Sequence, residues 1–255
     1  MSTHLGAPEL GPSLLVLVRH GESVGNVADR RAREQQVGRL DLKTRDADVE
    51  LSPTGCEQAD AIGRYLAELP ESARPTVMLT SPYARAAGTA ARLLTASGLS
   101  IPCRPDERLR ERELGVFDGL TSAGVREEYP EEAERRQRLG KFYYRPPGGE
   151  SWADVVLRVR GVLADVGGQP SSERLWVVTH QAVITCFRYL LEGLSEAQIL
   201  DIDRSVPVPN GSTTTYRRGP AGFPQLVEYA ATAAVEAAGA EPTREPEHAG
   251  QGSEV

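Results

Sequence analysis

The chain lacks several things that sort proteins into classes. Basic residues are outnumbered, with 29 Lys and Arg against 36 Asp and Glu, for a net charge of −7. A non-specific nucleic-acid binder needs a basic face to release counterions, so that class is set aside. A phosphate-ester substrate is not excluded, because a local arginine cluster can invert the field inside one pocket. Cysteines number three, Cys56, Cys103 and Cys186, scattered and without a CxxC pair. That usage suits a reducing compartment with unpaired, mostly buried thiols. No segment approaches the length of a membrane span. The apolar run from Leu14 to Val18 is too short for the core of a signal peptide, so the expected location is the cytoplasm. There is no internal repeat. The acid pairs Asp46-Ala47-Asp48 and Asp201-Ile202-Asp203 stand isolated and read as loop or cap residues, not as a metal site. Histidine is scarce: four in all, of which His4 and His248 fall in ends that read as flexible.

What is present is the material of a globular core. The 255 residues are 40% hydrophobic and 25% charged. Residues 1–12 read as a flexible lead. Leu14 to Val18 reads as a buried strand, followed by a short helix near 25–34 and a loop. Ser52-Pro53 gives an N-cap and a first-turn proline, and Ala59, Ile62, Leu66 and Leu69 continue at helical spacing. Thr76 to Thr80 reads as a strand, Ser81-Pro82 as a second cap, and a helix runs on to about Ser97. A short strand is expected over 101–104 and a weak helix over 122–139. Ser151 with Asp154 resembles a capping box opening a helix to about Val166. Leu175 to Thr179 is a further strand, followed by a helix from Gln181 to Leu191, and 213–218 reads as a last strand. Alternating strands and helices predict a single-domain α/β protein, a three-layer α/β/α sandwich with a mostly parallel central sheet, over 13–218. Residues 219–255 read as a low-complexity, disordered tail.

His20 and His180 each end an apolar strand where the chain turns into a helix. Ligands of open α/β sheets bind outside the carboxyl ends of strands, so the two meet at one site if their strands are neighbours. Taken singly, either histidine is more simply a core residue satisfied by backbone groups. The surroundings shift that balance. Arg19 offers a forked cation suited to phosphate oxygens, Gly21 permits close backbone approach, and Asn26 offers an amide at the start of a helix, where anions are favoured. Arg85 sits in a first helical turn, where the dipole prefers acids, and is easier to explain as an anion ligand.

Arg19-His20-Gly21-Glu22-Ser23 with Asn26, then Ser81-Pro82-Tyr83-Ala84-Arg85-Ala86, then Leu109-Arg110-Glu111, then Val178-Thr179-His180, resembles the ordered motif set of the histidine phosphatase (phosphoglycerate mutase-like) superfamily over residues 13–218. The resemblance implies His20 as the nucleophile, Arg19, Arg85 and His180 as ligands of the phosphoryl group, and Glu111 as the acid for the leaving oxygen. It implies no metal and no cofactor. The chemistry agrees: neutral imidazole attacks phosphorus at neutral pH, and two arginines with a second, protonated histidine stabilise the transferring anion. Glu111 needs a raised pKa, from the anionic substrate and partial burial. Glu113 is the rival acid, because in an extended segment the two share a face.

The offset of 69 residues from Glu111 to His180 looks more like the phosphatase branch than the mutases. Tyr129-Pro130-Glu131-Glu132, Lys141-Phe142-Tyr143-Tyr144-Arg145-Pro146, Gly149-Glu150-Ser151 and His180-Gln181-Ala182-Val183 are similar to fructose-2,6-bisphosphatase domains. That similarity implies Gln181 and Lys141, with Asn26 and Ser23, on the substrate, and Arg145 and Trp152 lining the leaving-group side. Other sugar-site positions depart from it: Ser122, Gln137, Trp152 and Thr185 replace Tyr, Arg, Tyr and Arg, with Arg188 one turn displaced. The loss of two arginines predicts a weaker grip on a second phosphate. The expected function is a metal-independent phosphomonoesterase acting through phosphohistidine on a small phosphorylated metabolite such as a sugar phosphate. The alternatives are a phosphoglycerate-type phosphomutase and a non-catalytic phosphate-binding module on the same fold. A homodimer is the default partner expectation.

Overall fold

The computed structural model describes residues 11–168, 170 and 173–244. His4, His248 and most of the expected N-terminal lead lie outside them. The elements in chain order are β1 (Leu14–Arg19), α1 (Val24–Glu34), α2 (Pro53–Glu68), β2 (Val77–Thr80), α3 (Ala84–Ser97) and β3 (Cys103–Pro105). They continue with α4 (Ser122–Glu128), α5 (Pro130–Tyr143), α6 (Trp152–Gly167), β4 (Arg174–Thr179), α7 (Gln181–Leu191) and α8 (Glu196–Ser205). The last are β5 (Thr213–Arg218), β6 (Pro224–Ala231) and α9 (Ala233–Ala237).

The described strands form one sheet in the order β3-β2-β4-β1-β5-β6. The first four are parallel, and β5 and β6 run antiparallel at one side. Every residue of β1 from Leu15 to Val18 is buried because both faces are covered. Leu15 and Leu17 pack with Val155, Val159 and Ile184 on the α6 and α7 side. Val16 and Val18 pack with Ile62, Leu66 and Leu93 on the α2 and α3 side. This is the expected three-layer sandwich.

The caps explain most boundaries. Ser52 accepts from the Gly55 amide with Pro53 in the first turn of α2. Ser151 and Asp154 form a reciprocal capping box on α6. Four expectations need correcting. Ser81 does not cap α3, which starts two residues later, after Tyr83; its hydroxyl is turned to His180 instead. The weak helix over 122–139 is two helices, because Pro130 opens a new first turn. Asp201 and Asp203 lie within a helix that periodicity missed, α8. The chain also stays folded past Arg218. β6 pairs with β5, and Val235 of α9 is fully buried in the α2–α3 cluster. Alternation is faint in β6 because none of its eight residues is buried and four are exposed, so composition alone suggested a tail. Residues 245–255 of that expected tail lie outside the described residues. Of the three cysteines, all free, only Cys186 is fully buried.

Candidate active site

β1 and β4 are parallel neighbours with Arg19 opposite Thr179. Their register brings the two strand-end histidines together, the His20 amide donating to the Thr179 carbonyl at 3.0 Å. The imidazole centroids are 5.0 Å apart at an interplanar angle of 62°. The turn after β1 is tightly built. A Cβ on Gly21 would stand 2.3 Å from the Gly55 carbonyl oxygen, and one on Gly55 would stand 1.9 Å from the Glu22 oxygen. The close backbone approach at Gly21 is therefore to the first turn of α2, which fixes the loop that carries His20.

His20 Nδ1 lies 2.7 Å from the Gly21 carbonyl oxygen. A carbonyl only accepts, so Nδ1 carries the proton and Nε2 keeps its lone pair. Burial, then Arg85 and Arg19, push the His20 pKa well below 6.5, so the ring is neutral at pH 7. His180 is fully buried. Its Nε2 is 2.8 Å from Ser81 Oγ, while Nδ1 is buried and has no hydrogen-bond partner among the described residues. Burial and the charges of Arg85, His20 and Arg19 lower its pKa as well. His180 is therefore neutral here, first because it is buried and then because two guanidinium groups stand close by, whereas the protonated form was expected with a phosphoryl group bound.

His20 opens onto a cavity of about 440 Å³, a size suited to a small metabolite. Ser23, Asn26, Arg85, Glu111, Lys141 and Gln181 line it too. Arg19 and His180 are buried and do not line it. Arg19 Nη1 donates to Gln181 Oε1 at 2.8 Å and also to the Val208 carbonyl. Ser23 and Asn26 form the capping box of α1, with Asn26 Oδ1 accepting from the Ser23 amide at 2.9 Å. Arg85 is buried and gives both Nη atoms to Asp46. Glu111 Oε1 accepts from the Arg112 amide at 2.7 Å. Glu113 lines a neighbouring cavity of about 390 Å³ with Tyr83, and Asp46 and Asp118 border both cavities. Of the two acids that spacing left level, Glu111 is the one that shares a cavity with His20.

On the leaving-group side Lys141 is paired with Asp203 and sits 5.2 Å over the Trp152 ring. Arg145 does not line the cavity; it forms an ion pair with Asp154 at the start of α6. Arg188 is likewise elsewhere, paired with Glu192 and stacked on Tyr229. Thr185 donates to the Gln181 carbonyl within α7. Sequence reasoning missed Arg112 and Arg136. Both line the cavity, neither has an ion-pair partner among the described residues, and burial lowers the pKa of both, with Arg136 adding to the effect on Arg112. Arg112 was overlooked between two candidate acids, and Arg136 beside the departed position Gln137. Asp46 and Asp203, set aside as loop or cap residues, are ion-pair partners of two lining cations. Among the described residues no group of three or more His, Cys, Asp or Glu is placed to hold a metal ion, and no helix is long and apolar enough to cross a membrane.

The chain is 32% identical over 198 residues to the 6-phosphofructo-2-kinase/fructose-2,6-bisphosphatase of Gallus gallus, covering 77% of this chain and 35% of that one. The chain therefore spans about a third of the length of that relative. It is 33% identical over 199 residues to a 2,3-bisphosphoglycerate-dependent phosphoglycerate mutase of Methylobacterium radiotolerans, covering 77% of this chain and 87% of that protein. The native structure of a mycobacterial glucosyl-3-phosphoglycerate phosphatase superposes with a TM-score of 0.66 at 28% identity, covering 86% and 99% of the two chains. The model of the histidine phosphatase superfamily, branch 1, matches residues 15–232, a span that takes in both strand-end histidines and runs through β6, and the chain belongs to that family.

Proposed function

We propose that this chain is a metal-independent phosphomonoesterase that transfers a phosphoryl group through His20. The observation that carries the reading is the state of His20: a neutral imidazole with Nδ1 held by a carbonyl and Nε2 left for attack, on a cavity shared with Arg85 and Glu111. His20 Nε2 attacks phosphorus and the bond to the leaving oxygen breaks, with Glu111 giving that oxygen its proton. Water then attacks the phosphohistidine, Glu111 takes the proton back, and inorganic phosphate departs. Arg85 holds equatorial oxygens, and Arg19 supplies positive field. His180 gains a proton-donating role when the arriving anion raises its pKa.

The substrate class this reading favours is a small ester with a second anionic group, a phosphate or a carboxylate, on the leaving side. Arg112 and Arg136 line that cavity, have no ion-pair partner among the described residues, and compensate for the arginines absent at 137 and 185. All three cysteines are free, which suits a reducing compartment.

The test is an assay in EDTA comparing wild type with His20→Ala on p-nitrophenyl phosphate and a panel of sugar and glycerate phosphates. Phosphate release is expected from the wild type alone, together with an acid-labile phosphoenzyme that the variant does not form. Near-normal turnover by His20→Ala would sink the mechanism. An isomeric ester formed without phosphate release would favour the mutase reading, to which the similarity to a phosphoglycerate mutase lends support.

A further inference from the structure

Arg85 is the lining arginine assigned to the phosphoryl group, yet its fork is already engaged. Nη1 donates to Asp46 Oδ1 at 3.0 Å and to the Asp46 carbonyl at 2.7 Å, while Nη2 donates to Oδ2 at 3.1 Å. A carboxylate set this way offers two oxygens to a guanidinium edge, as two phosphoryl oxygens do. Two anions cannot hold the same edge. The partners also differ in exposure, at 6% for the Arg85 side chain and 42% for Asp46. Asp46 can turn into water at low cost, whereas a buried guanidinium without an anion is costly. The Tyr83 ring, 5.2 Å from the guanidinium carbon, holds Arg85 from another side, so Arg85 keeps its place when Asp46 leaves. Asp46 is carried on a short turn, Asp46–Asp48, and lines the cavity with His20 and Glu111.

We propose that Asp46 is an internal anion that occupies the phosphoryl-binding edge of Arg85 in the resting protein and is displaced by the phosphoryl group of the substrate. The proposal rests on the reading of Arg85 as a phosphoryl ligand. Asp46 keeps the buried cation satisfied while the cavity is empty. It weakens the hold on substrate, and it speeds release of the product phosphate by returning to Arg85.

The test uses Asp46→Asn, an isostere that keeps the main-chain carbonyl contact, and Asp46→Ala. Calorimetry with inorganic phosphate and with orthovanadate gives Kd, and p-nitrophenyl phosphate gives KM and the product-inhibition constant for phosphate. Both variants are expected to lower all of these roughly fivefold, the equivalent of a part-exposed pair worth about 1 kcal/mol. If Asp46 merely anchors its loop, phosphate binds no tighter in the variants or binds more weakly, KM rises, and the proposal is overturned. If wild type binds phosphate and the variants do not bind it more tightly, only the role of Asp46 fails. If wild type neither binds phosphate nor hydrolyses any ester, the phosphatase reading fails and takes this role with it.

Discussion

Acid should destabilise this protein well before its carboxylates titrate, because both strand-end histidines are buried neutral. Their pKa values are held well below 6.5, first by burial and then by Arg85. In the unfolded chain each takes up a proton near pH 6.5. Below that pH the unfolded state binds more protons, so stability falls as pH falls, until the folded-state pKa is reached. A histidine that stays neutral in the fold loses at most RT ln(1 + 10^(6.5 − 5.5)) on going from neutral pH to 5.5, about 1.4 kcal/mol, and two lose at most about 2.8 kcal/mol. With a urea m-value near 3 kcal/mol/M, the unfolding midpoint should drop between pH 7.5 and 5.5, by up to about 0.9 M. His180→Gln should remove about half of this dependence, and His20→Gln with His180→Gln nearly all of it. His4 and His248 are common to all these proteins and cancel in the comparison. Bound phosphate or vanadate raises both pKa values and should flatten the dependence. A wild-type midpoint that does not move with pH, or one that moves equally in the double variant, would refute the reasoning.

Other expected outcomes follow from the same geometry. Glu111→Gln should slow alkyl phosphate esters by about 10²- to 10⁴-fold and p-nitrophenyl phosphate, whose leaving group needs little protonation, far less; Glu113→Gln should stay within severalfold on both, and a reversed order would exchange the two acids. Gly55→Ala drives a Cβ to 1.9 Å from a backbone oxygen and should cost about 3 kcal/mol, a drop in Tm of roughly 6–12 °C, seen by thermal melting. Arg112→Gln and Arg136→Gln should each reduce the preference for esters with a second anion over p-nitrophenyl phosphate by about tenfold, measured as the ratio of kcat/KM values; an unchanged ratio would remove the second-anion subsite.

The sequence alone determined whatever rests on local rules. The buried strands β1 and β4 are short apolar runs, and Ser52-Pro53 and Ser151 with Asp154 announce their helices because capping is decided within four residues. His20 and His180 stood out because each follows an apolar strand, whereas the roles expected of them and of Arg19, Arg85 and Glu111 came from the resemblance of an ordered set of motifs. The failures arose where long-range contacts override local signal. β6 and α9 look like a tail until β5 and the α2–α3 face give them partners. Ser81 looks like a cap until His180, 99 residues on, takes its hydroxyl.

Only the tertiary structure decided which charges face which. Spacing left Glu111 and Glu113 level, and the structure sets Glu111 on the cavity of His20 and Glu113 on a neighbouring one that shares Asp46 and Asp118 with it. No local pattern joins Asp46 to Arg85, Asp203 to Lys141, or Arg112 to Arg136, because the members of each pair lie on different segments more than 20 residues apart in the chain. The charge on His180 is of the same kind. An isolated histidine is half protonated near pH 6.5, and it is the burial imposed by neighbouring strands, with two guanidinium groups close by, that makes it neutral.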